Sequence, residues 1–140
     1  MKSLRALIDR LKWLGPLFAR IVLGVVFIDS GWQKLHNLTG ITEYFQSLGI
    51  PLAQVQAPIV AGLEFSCGLL VLLGLATRFA ALPLRGIMAV AIGTAKLGDL
   101  EAWTDLFALS EFLYITLCVW LLTSGPGNVS LDQKILPSLA

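Results

Sequence analysis

Four long apolar stretches limit what this chain can fold into more than any other feature of its sequence. A helix that crosses a membrane needs about 20 mostly apolar residues. The stretches that meet this need cover residues 15–34, 57–76, 79–97 and 106–123. The chain is also 56% hydrophobic and 14% charged, whereas soluble domains are roughly 45–50% apolar and about 25% charged. The sequence therefore predicts an all-α fold, a polytopic membrane protein whose residues 1–140 form one four-helix antiparallel bundle.

The lysines and arginines predict how this bundle is oriented, because they favour cytoplasmic loops. The loop and ends on one side carry Lys2, Arg5, Arg10, Lys12, Arg78 and Lys134. On the other side lie only Lys34 and Lys96, beside the acidic residues Asp99, Glu101 and Asp105. Both termini are therefore predicted to be cytoplasmic.

The segments at the start of the chain and between the first two spans predict shorter helices. Residues 3–14 alternate apolar and basic residues at helical spacing, which is typical of an amphipathic segment on the membrane surface. The start resembles a secretory signal, but no clear cleavage site closes the apolar run, so we predict a retained first helix. The connection 36–56 contains EYFQSLGIP, which predicts a short helix ended by Gly49 and Pro51.

Charge and ligand-type residues exclude several classes of protein. The net charge is +1 without a basic stripe, which excludes a strongly basic nucleic-acid binder. Cys67 and Cys118 are far apart in sequence and predict neither a zinc site nor a disulfide framework. His36 is the single histidine, so one chain cannot supply paired axial histidines to a haem. No metal site is predicted.

Ionisable residues inside the spans are the main candidates for a functional site, because such residues are rare and costly in a membrane. The carboxylates of Asp29, Glu64 and Glu111 are predicted to lie in one layer, roughly 8–10 Å below the outer membrane face. Like charges repel, so at least one should be protonated or paired with a lysine. The layer could bind a polar head group, carry protons or hold a cation. The candidates for ligand binding or proton transfer are Asp29, Glu64, Glu111, Lys34, Lys96 and Trp32.

Two arginines in the inner half of the spans have a different interpretation. Arg20 and Arg85 are predicted to be structural or to extend to lipid head groups. Any of the buried charges could instead serve only to fix the register of the helices. The first span also predicts a closely packed face, because small and polar residues recur there at steps of four and three. That face consists of Arg20, Gly24, Phe27, Gly31 and Lys34.

Four segments, in this order, resemble the DoxX family of small bacterial membrane proteins. They are RIVLGVVFIDSGWQKL at 20–35, FQSLGIP at 45–51, LEFSCGLLVLLGLATRFAAL at 63–82 and SGPGNVSLD at 124–132. The resemblance implies a four-helix bundle in the bacterial inner membrane. It also implies a link to membrane redox chemistry, since the family name comes from a subunit of a thiosulfate:quinone oxidoreductase. The positions that match the family pattern are Arg20, Gly24, Gly31, Lys34, Glu64, Gly68, Gly74 and Arg78.

The leading hypothesis is a subunit of an inner-membrane redox complex that binds quinone or couples a partner to the quinone pool. Glu64 would contact a quinone oxygen, Asp29 or Glu111 would transfer the proton, and Trp32 could stack on the ring. The chain would be no complete enzyme alone, with no intrinsic cofactor beyond a possible quinone. Membrane lipids and a redox protein or a second copy are the expected partners. The alternatives are a non-enzymatic membrane anchor or assembly module, and a small cation or metal transporter.

Overall fold

The computed structural model describes residues 10–135. Most of the amphipathic segment predicted at 3–14 lies outside these residues. The described chain is helical, and we number its α-helices in order. They are α1 (Leu14–His36), α2 (Leu38–Ser47), α3 (Ala53–Leu73), α4 (Thr77–Ala91), α5 (Asp105–Ala108), α6 (Ser110–Ser124) and α7 (Leu131–Ile135). A π-helical turn, Ile92–Lys96, and a 3-10 turn, Leu97–Asp99, continue α4. The prediction of an all-α fold is confirmed for the described residues.

Three helical segments are long and apolar enough to cross a membrane: α1, α3 and the continuous segment Thr77–Asp99. The fourth span predicted at 106–123 differs from the observed helices. The backbone at Leu109 is extended, with φ −69° and ψ 133°, and it separates the short α5 from α6. The 15 residues of α6 rise about 22 Å, which is less than the roughly 30 Å of a hydrocarbon core.

Helix α2 occupies the connection between the first two spanning helices. Its first turn is capped by the Asn37 side chain, which accepts a hydrogen bond from the backbone N–H of Gly40 at 3.2 Å. It ends before Gly49, whose φ of +72° is a conformation that glycine adopts without steric cost. The helix predicted in this connection is therefore confirmed.

Helices α1 and α3 approach each other closely where glycines lie at their interface. A methyl group at Gly31 would lie 2.5 Å from the backbone nitrogen of Phe65. One at Gly68 would lie 2.9 Å from the backbone nitrogen of Ile28. Such close approach is typical of glycine-containing helix pairs in membranes. The glycine face predicted on the first span thus packs within the chain.

The end of the bundle at which α3 turns into α4 is held together by two buried charged residues. Arg20 is 3% exposed and donates to the carbonyl oxygens of Val71 at 3.0 Å, Leu72 at 2.9 Å and Val129 at 2.5 Å. It also donates to the carbonyl of Pro126. Because its guanidinium is used inside the fold, Arg20 does not extend to head groups. We call this end of the bundle, with the turn 74–76, the closed end.

Asp132 is the second of these residues and has no exposed surface. Its carboxylate accepts hydrogen bonds from the backbone N–H groups of Ala76 at 2.5 Å and Thr77 at 2.9 Å. These groups begin α4 and have no partner within the helix. The segment after α6 therefore caps α4 from a distance of more than fifty residues in sequence.

Candidate functional site

A cavity opens at the opposite end of the bundle, which we call the open end. Its volume is about 620 Å³, and α1, α2, α3, the extended α4 and α6 all contribute to its lining. Most of the lining is apolar or aromatic. The polar side chains that reach it include Ser30, Lys34, Glu64, Lys96 and Glu111. This combination of an apolar body and a few convergent polar groups is characteristic of a small-molecule site.

This site contains an ion pair, one member of which is fully buried. Glu64 has no exposed surface, and the side chain of Lys34 is 22% exposed. The Lys34 ammonium lies 2.5 Å from both carboxylate oxygens of Glu64. Ser30, one helical turn before Lys34, donates its hydroxyl to Glu64 at 2.9 Å. A carboxylate without water needs such partners, because burying an uncompensated charge costs several kcal/mol.

The close packing of α1 and α3 determines the position of the Lys34–Glu64 pair. Gly31 lies between Ser30 and Lys34 along α1, and it contacts the α3 backbone at Ala61 and Phe65. Glu64 belongs to the same turn of α3. The short interhelical distance therefore brings the carboxylate directly against the two donors on α1.

A second pair of charges lines the cavity from the other helices. Lys96 ends the π-helical turn, and Glu111 lies in the first turn of α6. Both are half-buried. Glu111 accepts a hydrogen bond from the Ser110 hydroxyl at 3.2 Å, and within residues 10–135 neither residue forms an ion pair. A π-helical turn inserts one residue into a helix and is frequent at functional sites; here it leads to Lys96.

The remaining predicted site residues lie outside the lining. Asp29 is exposed and accepts a hydrogen bond from the Gln33 amide at 2.7 Å. Trp32 is 53% exposed, and its ring centroid lies 4.2 Å from that of His36 and 5.8 Å from that of Phe65. Arg85 is exposed on α4.

The structure thus brings together four of the six candidates, Lys34, Glu64, Lys96 and Glu111. The three carboxylates predicted to form one layer do not all lie together. Glu64 and Glu111 line one cavity, whereas Asp29 lies outside it. Depth along a helix can be read from sequence, but each residue also turns the side chain by about 100°. Asp29 precedes Ser30, and that one step takes it away from the cavity.

Several residues of the site were not found from the sequence. Ser30 sits four residues before Lys34, and that spacing was an available signal. Ile41 and Phe45 of α2 and Leu48, which directly follows it, line the cavity at the helical spacing of an amphipathic face. Tyr114 lines it from α6, and nothing in its neighbourhood distinguishes it from other aromatic residues of a span.

The described part of the chain holds no group of three His, Cys, Asp or Glu residues that could bind a metal ion. The cation site formed by three carboxylates, on which the transporter alternative depended, is therefore not assembled there. Cys67 and Cys118 are free and buried, and both belong to the hydrophobic core.

Apolar helices long enough to span a membrane, around a cavity that contains an ion pair, define a small α-helical membrane protein. The chain belongs to the DoxX family, whose sequence profile matches residues 15–97. It is 30% identical over 126 residues to the inner membrane protein YqjF of Escherichia coli K12, covering 90% of this chain and 95% of that protein.

Two further relatives place the chain in the same group. The inner membrane protein YphA of Escherichia coli K12 is 28% identical over 133 residues, which cover 84% of this chain and 88% of YphA. CatD of Bacillus subtilis 168, whose name provisionally calls it an oxidoreductase, is 33% identical over 127 residues, or 87% of each chain. No solved structure matches the chain. The chain is an inner membrane protein of the DoxX family.

Proposed function

We propose that this protein binds quinone in the cavity at the open end and serves as the membrane subunit of a redox complex. The observation that carries the proposal is the cavity lining, in which Lys96 and Glu111 stand beside the Lys34–Glu64 pair in an otherwise apolar and aromatic surface. A quinone has a flat apolar ring and two carbonyl oxygens that accept hydrogen bonds. The lining offers a matching environment for both.

Each polar group of the lining has a role in this proposal. The Lys96 ammonium, which has no ion-pair partner in residues 10–135, donates to one carbonyl oxygen of the ring. Glu111 holds or releases a proton at the same side of the cavity. Lys34 and Ser30 donate hydrogen bonds to Glu64 and hold its carboxylate in place. Phe27 and Tyr114, whose ring centroids are 6.0 Å apart, form the aromatic wall.

A bound quinone would accept electrons and protons together. The chain's own residues account for the protons and for the position of the ring. In the proposal the electrons come from a partner protein with a redox centre. The provisional oxidoreductase name of CatD supports a redox role for this chain as well.

We also propose that the described helices lie in the membrane as four spans, with both ends of the chain in the cytoplasm. Helix α6 completes the fourth span together with α5, since Asp105–Ala108 and Ser110–Ser124 cover almost 20 residues. The basic residues Arg10, Lys12, Arg78 and Lys134 lie on the side of the closed end, which the positive-inside rule assigns to the cytoplasm. The cavity then opens toward the outer face.

The test is quinone binding by the purified protein in lipid nanodiscs. Lys96→Gln and Glu111→Gln are expected to weaken binding about tenfold or more, because hydrogen bonds to charged groups contribute about 1.5–3 kcal/mol. Asp29→Asn is the matched control: it also removes a carboxylate from a spanning helix, but outside the cavity, and should leave binding unchanged. Absence of binding by the wild type, or equal weakening by all three variants, would contradict the proposal.

The subunit role needs a second measurement on the same protein. After purification from native membranes in mild detergent, mass spectrometry should find a stoichiometric partner that carries a redox centre. Recovery of the chain alone from active membranes would contradict the subunit role while leaving the quinone site to be judged by the binding experiment.

A further inference from the structure

Part of the cavity lining is exposed on the side of the bundle. Gly86, Val90 and Thr94 line the cavity and are also exposed, Val90 to 56%. They recur every four residues and therefore form one stripe along the extended α4. Across from them, Leu63 of α3 lines the cavity and is 36% exposed. The cavity therefore continues into an open groove between α3 and α4.

The course of the chain explains why this groove exists. Helices α3 and α4 are joined by the tight turn 74–76 at the closed end, where Asp132 fixes the start of α4. The cavity residues of α3 lie within 56–64 and those of the extended α4 within 83–96, all away from that turn. The two helices leave space between them toward the open end.

The groove is lined mostly by apolar residues and has room beside Gly86. A methyl group placed on Gly86 would meet no atom within 4 Å. Ten residues separate Gly86 from Lys96, so the stripe extends about 15 Å from the charged end of the cavity. A ligand with its polar head at Lys96 and a long hydrocarbon tail would fill both parts.

We propose that the ligand enters sideways from the bilayer and that its hydrocarbon tail lies over Gly86 in the groove between α3 and α4. This inference rests on the proposed quinone site and deepens it, because it requires a long-tailed, membrane-dissolved quinone rather than a water-soluble one. The continuity of the groove with the charged cavity identifies the occupant as the tail of the same ligand. The exposure of the groove within spanning helices places its opening against lipid.

The experiment compares two probes on the purified protein in nanodiscs: a benzoquinone without a tail, and the same ring with a decyl tail. Gly86→Leu fills the groove and is expected to weaken binding of the tailed probe about tenfold, the loss expected when about two methylenes leave an apolar surface. Binding of the tailless probe, whose ring would lie at Lys96 about 15 Å from Gly86 along the helix, should weaken much less. Gly62→Leu is the matched control, since Gly62 also has open space around it but does not line the cavity.

The outcomes separate this inference from the function on which it rests. If the wild type binds both probes and Gly86→Leu affects neither, or weakens both equally, the tail does not lie in the groove and the quinone site stands. If the wild type binds neither probe, the quinone site itself is wrong. A second measurement needs no variant: a photoreactive group at the end of the decyl tail should label residues 86–94. Labelling confined to α1 or α6 would overturn the inference.

Discussion

Glu64 is a carboxylate without exposed surface in a spanning helix, and its stability depends on the donors that surround it. The Lys34 ammonium and the Ser30 hydroxyl supply them. Asp29 lies at a similar depth on α1, but its carboxylate is exposed and accepts a hydrogen bond from the Gln33 side chain. Two carboxylates of similar depth thus have different environments, and only the buried one belongs to a cavity.

Asp132 acts at the residue scale in a different way, because it contributes no ligand group and determines where a helix starts. Its partner Ala76 has a φ of +48°, a left-handed conformation that costs a residue with a side chain roughly 1–2 kcal/mol. The two hydrogen bonds from Ala76 and Thr77 to the carboxylate stabilise this conformation.

Removal of this cap should destabilise the protein. Asp132→Ala is expected to lower the free energy of unfolding by about 1–2 kcal/mol or more, because it removes a cap and leaves the buried Thr77 N–H without a partner. Thermal unfolding in detergent measures the effect. Asp105→Ala is the control, since Asp105 also accepts two backbone N–H groups, from Glu101 and Ala102, but at an exposed site. Equal losses in the two variants would show that burial of the cap is unimportant.

At the scale of the elements, α1 and α3 form one tightly packed unit. Gly24, Gly31 and Gly68 serve contacts inside the chain, which leaves these positions unavailable to a partner. The same packing sets the distance between Lys34 and Glu64, so the geometry of the site depends on residues with no side chain.

Adding one methyl group to a glycine at the interface of α1 and α3 tests how strongly the fold depends on this close packing. Gly31→Ala would place a Cβ 2.5 Å from the Phe65 backbone nitrogen and is expected to destabilise the protein by about 1–3 kcal/mol. Gly62→Ala, with no atom within 4 Å of its added Cβ, should be neutral or stabilising by up to about 1 kcal/mol. Unfolding midpoints of the two variants in the same detergent test the prediction, and a stable Gly31→Ala protein would contradict it.

At the scale of the whole molecule, the two ends of the bundle differ in what they do. The closed end contains Arg20, Asp132 and the turn between α3 and α4, and there the Arg20 guanidinium and the Asp132 carboxylate are hydrogen-bonded inside the fold. The open end holds the cavity and the ion pair under α2. The hydrogen bonds of the closed end hold the helices together there, while a cavity lies between the helices at the open end.

The proposed topology predicts which loops are accessible from outside the cell. Trp103→Cys, at a site 77% exposed near the open end, should react with a membrane-impermeant maleimide on intact spheroplasts. Val129→Cys, 51% exposed at the closed end, should react only after the membrane is opened. The native thiols of Cys67 and Cys118 are buried and should give little background. Labelling of both variants on intact spheroplasts, or of neither until the membrane is opened, would contradict a four-span arrangement.

The sequence by itself determined the membrane class, the all-α fold, the helix in the connection before Pro51 and the family. It did so because apolar length, turn residues and ordered motifs are properties of local sequence. It also placed Lys34, Glu64, Lys96 and Glu111 among the candidates, since charge is rare in apolar spans.

Only the tertiary structure decided which of these charges meet. The direction of a side chain around a helix depends on rotation, on local interruptions such as the π-helical turn at Lys96, and on how closely neighbouring helices approach. For that reason Glu64 of α3 lines the cavity, whereas Asp29 of α1, a carboxylate of similar predicted depth, lies outside it. The role of Asp132 and the groove over Gly86 likewise depend on contacts between segments far apart in the chain, which no local pattern records.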